Sequence, residues 1–242
     1  MGEVRQGNAG NAGEFMKKDI LGVKIDDVNM GEALGIAEKW IWNPGRHYVV
    51  TPNPEMIVAA QKDLEFKKIL NDADLSIPDG AGLKLSGKIK KTIAGTDFME
   101  ELVSLAAEKG FTTGFLGGGD GIAKQTAECL LKKYPKLKVF FAGSDTETKI
   151  PPVDLLFVAL GHIKQEKWIA ENLEKIPVHV AMGVGGSFDY LSGNVPRAPK
   201  WMRDLGLEWL FRLIIQPWRV RRQLALFKYL WLILTYDYSS NK

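Results

Sequence analysis

The chain has 242 residues, of which 45% are hydrophobic and 25% are charged, and its net charge is +3. These proportions are typical of a folded globular protein and exclude an intrinsically disordered chain. A single cysteine excludes an intrachain disulfide and any metal site built from several cysteines. Because no uncharged apolar run reaches about 18 residues, the sequence predicts no membrane-spanning helix.

The charge is distributed unevenly and suggests three regions. Residues 197–242, called the tail below, hold nine Lys or Arg and three Asp or Glu residues, so the rest of the chain carries a net charge of −3. Breaks at Gly206 and Pro217 divide the tail into two or three predicted helices. Residues 1–15 are rich in Gly and Asn without periodicity, and we interpret them as an expression leader or a disordered arm. Residues 16–196 form the predicted core.

Strands and helices alternate through the core. In chain order the pattern predicts a strand at 20–25, a helix capped by Asn29 that ends at 42, a strand at 47–51, a helical stretch at 54–70, a strand at 75–77, a helix capped by Thr96 that ends at 109, a strand at 112–116, a helix at 121–134, strands at 138–142 and 154–160, a helix at 164–173 and a strand at 178–182. Such alternation implies right-handed crossovers. The predicted fold is a Rossmann-like, mostly parallel α/β sheet with helices on both faces.

The loops that follow these strands are rich in glycine. They span 51–55 (TPNPE), 78–82 (PDGAG), 117–121 (GGGDG), 161–166 (GHIKQE) and 183–189 (GVGGSFD). Ligands of open parallel sheets bind beyond the carboxyl ends of the strands, and glycine lets backbone N–H groups approach a phosphate. Any one of these loops is explained by the need for glycine in short connections, but the set predicts a nucleotide or sugar-nucleotide site. Because Ile122 occupies the third glycine position of the dinucleotide fingerprint, a nicotinamide cofactor is not predicted.

Asp79 is the candidate general base of this site. It lies between Pro78 and Gly80 at the carboxyl end of a predicted strand, where a carboxylate can accept a proton from an attacking hydroxyl. The alternative is that Asp79 caps a helix over 81–85, and position alone does not decide between the two. Asp72 and Asp74 match an Asp-x-Asp metal motif, but they precede a strand and we interpret them as a polar turn. No metal is predicted, since the His, Asp and Glu residues show no metal-ligand spacing.

The motifs, taken together and in order, resemble one known family. They are Thr51-Pro52-Asn53, Pro78-Asp79-Gly80-x-Gly82, Ala94-Gly95-x-Asp97, Gly161-x-x-Lys164-Gln165-Glu166-Lys167-Trp168, Gly183-Val184-Gly185-Gly186-Ser187-Phe188-Asp189, Arg197-Ala198-Pro199, Gly206-Leu207-Glu208-Trp209 and Gln216-Pro217. From about Ile20 to about Leu232 the chain is similar to the WecG/TagA/CpsF glycosyltransferases, glycosyltransferase family 26.

The resemblance implies an inverting, metal-independent transferase. Its substrates would be a UDP-linked N-acetylmannosamine-type or related sugar and an undecaprenyl-diphosphate-linked sugar acceptor. The product would enter teichoic acid or another cell-wall or surface polysaccharide. The resemblance also implies a peripheral protein at the cytoplasmic face of the cell membrane, with the core as its catalytic part and the tail as a membrane-binding helical appendage.

The resemblance also implies residue roles. Asp79 would be the general base, and Thr51, Asn53 and Gln165 would line the pocket. UDP-sugar would be the donor substrate, with no separate cofactor, held by the loop glycines Gly117, Gly118, Gly161, Gly183, Gly185 and Gly186.

Three tail arginines match the family's arginine triplet. At spacing i, i+7 and i+10, Arg212, Arg219 and Arg222 would share one stripe if the helix were continuous. Arginine binds a diphosphate bidentately and can stabilise the UDP leaving group without a metal. Without the resemblance, a solvated basic face or a site for anionic lipid is the simpler explanation.

The amphipathic character of the tail predicts that it lies on a membrane surface. Its bulky apolar residues alternate with arginines, and Trp favours the membrane interface. The residues expected to enter the acyl boundary are Leu207, Leu210, Phe211, Ile214, Trp218, Leu224, Phe227, Tyr229 and Trp231.

Two departures from the family pattern support a second hypothesis. His162 and Ile163 replace an Ala and a Pro, and Thr92 replaces an Arg, although Lys90 and Lys91 precede it. The second hypothesis is a non-catalytic peripheral membrane protein that keeps the sugar-nucleotide fold. A third, nucleic-acid binding by the tail, is the weakest, because the tail carries no nucleic-acid motif. We therefore expect UDP-sugar, a polyprenyl-diphosphate-linked acceptor and an anionic membrane surface as partners, expect no nucleic acid, and leave a homo-oligomer open.

Overall fold

The computed structural model describes residues 16–240 and, within that range, the side chains of all residues except 219, 221–223 and 236–240. The proposed leader at 1–15 therefore lies outside the described residues. The strands are β1 (Lys17–Ile20), β2 (Val23–Asp26), β3 (His47–Val50), β4 (Leu75–Ser76), β5 (Thr112–Gly117), β6 (Lys138–Gly143), β7 (Val153–Ala159) and β8 (Val178–Gly183). The α-helices are α1 (Met30–Trp42), α2 (Pro54–Ala60), α3 (Leu64–Asp72), α4 (Gly95–Lys109), α5 (Ile122–Lys133), α6 (Lys164–Asn172), α7 (Ser187–Leu191), α8 (Lys200–Asp204), α9 (Glu208–Ile215) and α10 (Val220–Ser240), and 3-10 turns span Ala81–Ser86 and Pro217–Arg219.

Six parallel strands form the central sheet in the order β4-β3-β8-β7-β5-β6. Because successive side chains of a strand point to opposite faces, β3 places Val49 in one apolar cluster and Val50 in another. Helices α1, α4 and α5 pack on the first face, and α2, α3, α6 and α10 pack on the second. The predicted α/β fold, with a parallel sheet and helices on both faces, is confirmed.

Two predicted elements were wrong. The predicted strand at 20–25 is the antiparallel hairpin β1–β2, in which Leu21 and Gly22 form a two-residue turn with φ of 53° and 78°. The predicted helical stretch at 54–70 is not continuous and forms two helices, α2 and α3. The Asp63 side chain accepts a hydrogen bond from the backbone N–H of Phe66, and this cap begins α3 after a break.

Of the two predicted helix caps, one is confirmed and one is wrong. Asn29 caps α1 as predicted, since its side chain accepts from the Glu32 N–H while the Glu32 carboxylate accepts from the Asn29 N–H. Thr96 does not cap α4, because the helix already begins at Gly95. The Thr96 hydroxyl instead lies 2.9 Å from the Ser187 hydroxyl. This buried contact ties the start of α4 to the start of α7.

The tail breaks at Gly206 and Pro217 as predicted, giving α8, α9 and α10. Helix α10 packs on α2 and on the 3-10 turn Ala81–Ser86, and it buries Tyr229 and Ile233 in the second apolar cluster. The expectation that Tyr229 faces a membrane was therefore wrong. Among residues 16–240, no helix is both long enough and apolar enough to cross a membrane.

Phe157→Ala tests the first apolar cluster, which lies on the face of the sheet that α1, α4 and α5 cover. Phe157 is fully buried in β7, with its ring centroid 5.5 Å from that of Phe115. We expect the free energy of unfolding to fall by about 3–5 kcal/mol, because the substitution leaves a cavity. Phe140 in the edge strand β6 is 59% exposed, so Phe140→Ala should cost less than about 1 kcal/mol. Urea unfolding measures both variants, and equal losses would contradict this placement of the core.

Candidate active site

The carboxyl ends of the parallel strands place the glycine-rich loops at one edge of the sheet. Direct hydrogen bonds connect these loops. The Asp79 N–H donates to the Pro52 carbonyl at 2.9 Å, which joins the loop after β4 to the loop after β3. The Gly118 N–H donates to the Ala159 carbonyl at 2.8 Å, which joins the loop after β5 to the end of β7.

The Asp79 carboxylate lies at the start of α4. Its Oδ1 is 3.4 Å from the backbone nitrogen of Gly95, the first residue of that helix. In the alternative interpretation, Asp79 caps a helix formed by the residues that follow it, 81–85. That segment is the 3-10 turn Ala81–Ser86, whose N-cap position is Gly80, and no side-chain cap is found there among the described residues. Asp79 therefore contacts the amino terminus of a helix that is distant in sequence.

Burial raises the pKa of Asp79 to about 6. The charge of Arg212 and the Gly95 N–H lower this pKa, whereas the carboxylates of Glu208 and Asp97 raise it. A carboxyl group with this pKa is mostly ionised at neutral pH and is a stronger base than an ordinary aspartate. The environment of Asp79 thus fits a group that accepts a proton.

The Thr51-Pro52-Asn53 motif has one member that packs and one that caps. Thr51 is buried, and its Oγ1 would lie 3.3 Å from a Cβ added at Gly95, which explains the small residue at that position. Asn53 Oδ1 accepts from the Met56 N–H at 3.0 Å and caps α2. The sequence signal for this cap was the Asn-Pro pair, since Pro favours the first position of a helix. Both residues follow β3 directly, so they lie at the carboxyl end of that strand, beside the candidate site.

Gln165 connects two loops across the site. Its Oε1 accepts from the Gly185 N–H at 2.9 Å, and its Nε2 donates to Glu166 Oε1 at 2.7 Å. A Cβ at Gly183 would lie 2.8 Å from that Nε2, so glycine is required there by close approach.

Glu166 was not selected as a site residue from the sequence, but it is buried beside Gln165. Its Oε2 accepts at 2.6 Å from the N–H of Ile163, a β-branched residue held at φ 70°. Burial raises the pKa of Glu166 to about 7. In the sequence Glu166 belongs to the Lys164-Gln165-Glu166 motif, but a position in the first turn of a helix is one that many exposed glutamates share.

The predicted glycines divide into two groups. Gly117 and Gly118 are needed for packing, because a Cβ would lie 2.7 Å from the Ala159 carbonyl oxygen or 2.8 Å from the Ile122 side chain. Gly161 and Gly185, with φ of 87° and 52°, border open space, with no described atom within 4 Å of an added Cβ.

Gly186 is the N-cap residue of α7 and has an ordinary φ of −81°. Gly161 and Gly185 leave open space at the ends of β7 and β8. A neighbouring cavity of about 330 Å³ lies beyond β5 and β6. It is lined by Gly121, Ala123, Lys124, Phe141, Ala142, Gly143, Ser144, Asp145 and Thr148.

The tail packs against the loop that carries Asp79. A Cβ at Gly206 would lie 2.6 Å from the Ala81 Cβ, and a Cβ at Gly82 would lie 3.0 Å from Leu226 Cδ1 in α10. Both glycines therefore permit the close approach of tail and core.

Of the three predicted arginines, Arg212 reaches the site. Its guanidinium carbon lies 4.3 Å from the ring centroid of Tyr190, and its charge acts on Asp79. The side chains of Arg219 and Arg222 lie outside the described residues.

The other polar candidates have structural contacts. His162 Nε2 lies 3.4 Å from Glu55 Oε1 and so links the loop after β7 to the start of α2. At the opposite edge of the sheet, Asp74 accepts from the Tyr48 N–H, as expected of a polar turn. Within the described part of the chain, no group of three or more His, Cys, Asp or Glu side chains is arranged to hold a metal ion.

Comparison with known proteins identifies the family. The model of the glycosyl transferase WecG/TagA/CpsF family matches residues 18–242. The chain is 36% identical over 197 residues to the N-acetylglucosaminyldiphosphoundecaprenol N-acetyl-beta-D-mannosaminyltransferase of Bacillus subtilis, covering 75% of this chain and 76% of the relative. It is 28% identical over 222 residues to the Staphylococcus aureus protein of the same name, covering 85% and 87%. The parallel α/β fold, the ordered motifs and this similarity show that the chain belongs to the WecG/TagA/CpsF family of glycosyltransferases.

Proposed function

We propose that this chain is an inverting glycosyltransferase that moves N-acetylmannosamine from UDP to an undecaprenyl-diphosphate-linked N-acetylglucosamine. The names of the two relatives support this acceptor and this sugar. The observation that carries the proposal is the Asp79 carboxyl group, with a pKa of about 6, at the ligand-binding edge of the sheet within reach of the Arg212 charge. The product would serve the synthesis of teichoic acid or a related surface polysaccharide.

The donor would bind across the open glycine positions. Gly161 and Gly185 border open space at the ends of β7 and β8. The cavity of about 330 Å³ beyond β5 and β6 offers room for a nucleoside. Arg212 would contact the diphosphate, since a guanidinium can donate two parallel hydrogen bonds to phosphate oxygens. Thr51, Asn53 and Gln165 would border the sugar.

Asp79 would activate the acceptor. As the acceptor hydroxyl oxygen forms a bond to the anomeric carbon, the proton of that hydroxyl moves to the Asp79 carboxylate. The bond between the anomeric carbon and the UDP oxygen breaks, and attack from the opposite face inverts the configuration. Arg212 would stabilise the negative charge that develops on UDP, so no metal is required by this mechanism.

The tail would hold the enzyme at the cytoplasmic membrane surface, where a lipid-linked acceptor resides. Several large apolar side chains of the tail are exposed, and the tail's excess of basic residues suits anionic lipid head groups. The exposed residues are Trp201, Leu205, Trp209, Ile214, Trp218, Val220, Leu224, Phe227, Trp231 and Leu234.

Asp79→Asn tests the base. We expect transfer to fall by about 10²-fold or more, because asparagine cannot accept the proton, while UDP affinity stays within about twofold. Asp72→Asn is the matched control, since Asp72 is exposed and precedes the amino end of β4. Near-normal transfer by Asp79→Asn would show that another group is the base. UDP binding without any transfer by the wild-type chain would favour the non-catalytic alternative.

The pH dependence of transfer tests the same group independently. Because the base must be deprotonated, kcat/KM should rise as the pH increases through about 6 and then reach a plateau. Glu166 has a pKa of about 7, so it titrates in the same pH range as Asp79. The assignment therefore depends on the residual activity of Asp79→Asn, which should lack the rise. A rise that persists in this variant would point to another group.

Paired tail variants separate membrane binding from chemistry. Phe227 and Trp231 are 68% and 61% exposed, so Phe227→Ala with Trp231→Ala should weaken binding to phosphatidylglycerol vesicles by about tenfold or more. Arg219→Ala should instead lower transfer strongly and vesicle binding only slightly, because one charge contributes about 1 kcal/mol of lipid attraction. Vesicle flotation and transfer assays measure both. If transfer by Arg219→Ala falls only in step with vesicle binding, the arginine is an anchor.

A further inference from the structure

Four charged side chains connect the tail to the amino end of α4. Asp97 Oδ1 lies 2.6 Å from Arg197 Nη1 and 3.3 Å from Arg203 Nη1. Arg197 Nε lies 3.4 Å from Glu208 Oε1 in α9. These four residues are called the latch below.

We propose that the latch positions Arg212 at Asp79, so that Asp97 and Arg197 are positioning residues of the transfer reaction. The importance of the latch for transfer rests on the proposed function. Its effect on the docking of α9 does not, and it can be measured without substrate.

The burial of Arg197 indicates that its partners are needed. Its side chain is only 18% exposed, and its Nη2 is buried with no hydrogen-bond partner among the described residues. A buried guanidinium is destabilising unless carboxylates compensate its charge. Asp97 on α4 and Glu208 on α9 supply two such charges, so Arg197 bridges the core and the helix that carries Arg212.

The latch arginines also pair with two carboxylates whose charges act on Asp79. Asp97 and Glu208 are both close enough to Asp79 for their charges to act on it. Glu208 and Arg212 are four residues apart, one turn of the same helix. Because Arg197 and Arg203 contact Asp97 and Arg197 contacts Glu208, two competing carboxylates already have partners. The Arg212 charge acts on Asp79 from the same helix that Arg197 holds through Glu208.

Three motifs that the proposed chemistry does not use supply three of the four latch residues. Ala94-Gly95-x-Asp97 provides the core carboxylate, and Arg197-Ala198-Pro199 provides the bridging guanidinium. In Gly206-Leu207-Glu208, Gly206 adopts φ 73° against Ala81, and this tight turn precedes the Glu208 that contacts Arg197. The spacing of the motifs along the chain thus corresponds to the contacts of one cluster.

Hydrogen exchange of the full chain tests the docking step. Arg197→Met and Asp97→Asn should speed exchange of the α9 amides by about tenfold or more, because a docked helix loses its charged contacts. Lys200→Met and Glu101→Gln are matched controls, since each removes one exposed charge from the same segment. Exchange in β7 should stay unchanged in all four variants and reports that the sheet is folded. Unchanged exchange in α9 would overturn the proposal.

Transfer assays then distinguish positioning from general stability. Arg197→Met should lower kcat by about tenfold or more in the wild-type background but by less than about twofold when combined with Arg212→Ala, because the latch acts through Arg212. The same fold loss in both backgrounds would overturn the positioning role. If Arg197→Met unfolds the chain, Arg197→Lys serves as the milder variant. It keeps the charge but not the forked guanidinium that contacts two carboxylates, so its kcat should lie between the wild-type value and the value expected for Arg197→Met. A wild-type chain with no transfer activity would refute the proposed function, and exchange in α9 would still decide whether the latch docks the tail.

Discussion

The partial burial of one carboxylate, Asp79, is the constraint around which the site is arranged. Removing a carboxylate from water is unfavourable, and the raised pKa of Asp79 records that cost. The Gly95 N–H at the start of α4 and the charge of Arg212 offset part of it. The first comes from the core and the second from the tail. The base of the proposed reaction is therefore half-buried among groups from both the core and the tail.

Several glycines can be explained by this closeness. Thr51 lies against Gly95 and leaves little room for a side chain there. Pro54 and Leu226 lie against Gly82 in the same way. Gly206 brings the tail into contact with Ala81. Glycine near a parallel sheet is often interpreted as a phosphate-binding feature. Here Gly161 and Gly185 retain that interpretation, whereas Gly82, Gly95 and Gly206 are explained by packing.

Much of the fold could be predicted from the sequence because its signals are local. Alternating strand and helix patterns predicted the six strands of the parallel sheet, and Asn29 marked the start of α1. The β1–β2 hairpin was missed because its turn is Leu21-Gly22 instead of a more familiar Asn-Gly pair. The break before α3 was missed because Gln61 to Asp63 continue a helical pattern until the Asp63 cap is recognised.

The contacts of the site were harder to predict because they join distant residues. Asp97 and Arg197 are one hundred positions apart, and no pattern in the intervening sequence pairs them. Gln165 was selected as a pocket residue, but its bond to Gly185 depends on how two strands pack. Asp79 was selected from its position at the end of a strand and Arg212 through the family resemblance. Only the folded chain shows that the charge of one acts on the other.

Helix α10 shows why periodicity alone could not assign the faces of the tail. Tyr229 and Ile233 pack on the core, whereas Phe227 and Trp231 are exposed on the same helix. An apolar residue that faces a protein and one that faces lipid have the same hydropathy, so the sequence placed Tyr229 on the wrong side. A helix with apolar groups on both sides can bind the core and a membrane at the same time. In the proposed membrane-bound state, such a helix would hold the Asp79 loop, against which its Leu226 packs, close to the surface from which a lipid-linked acceptor would arrive.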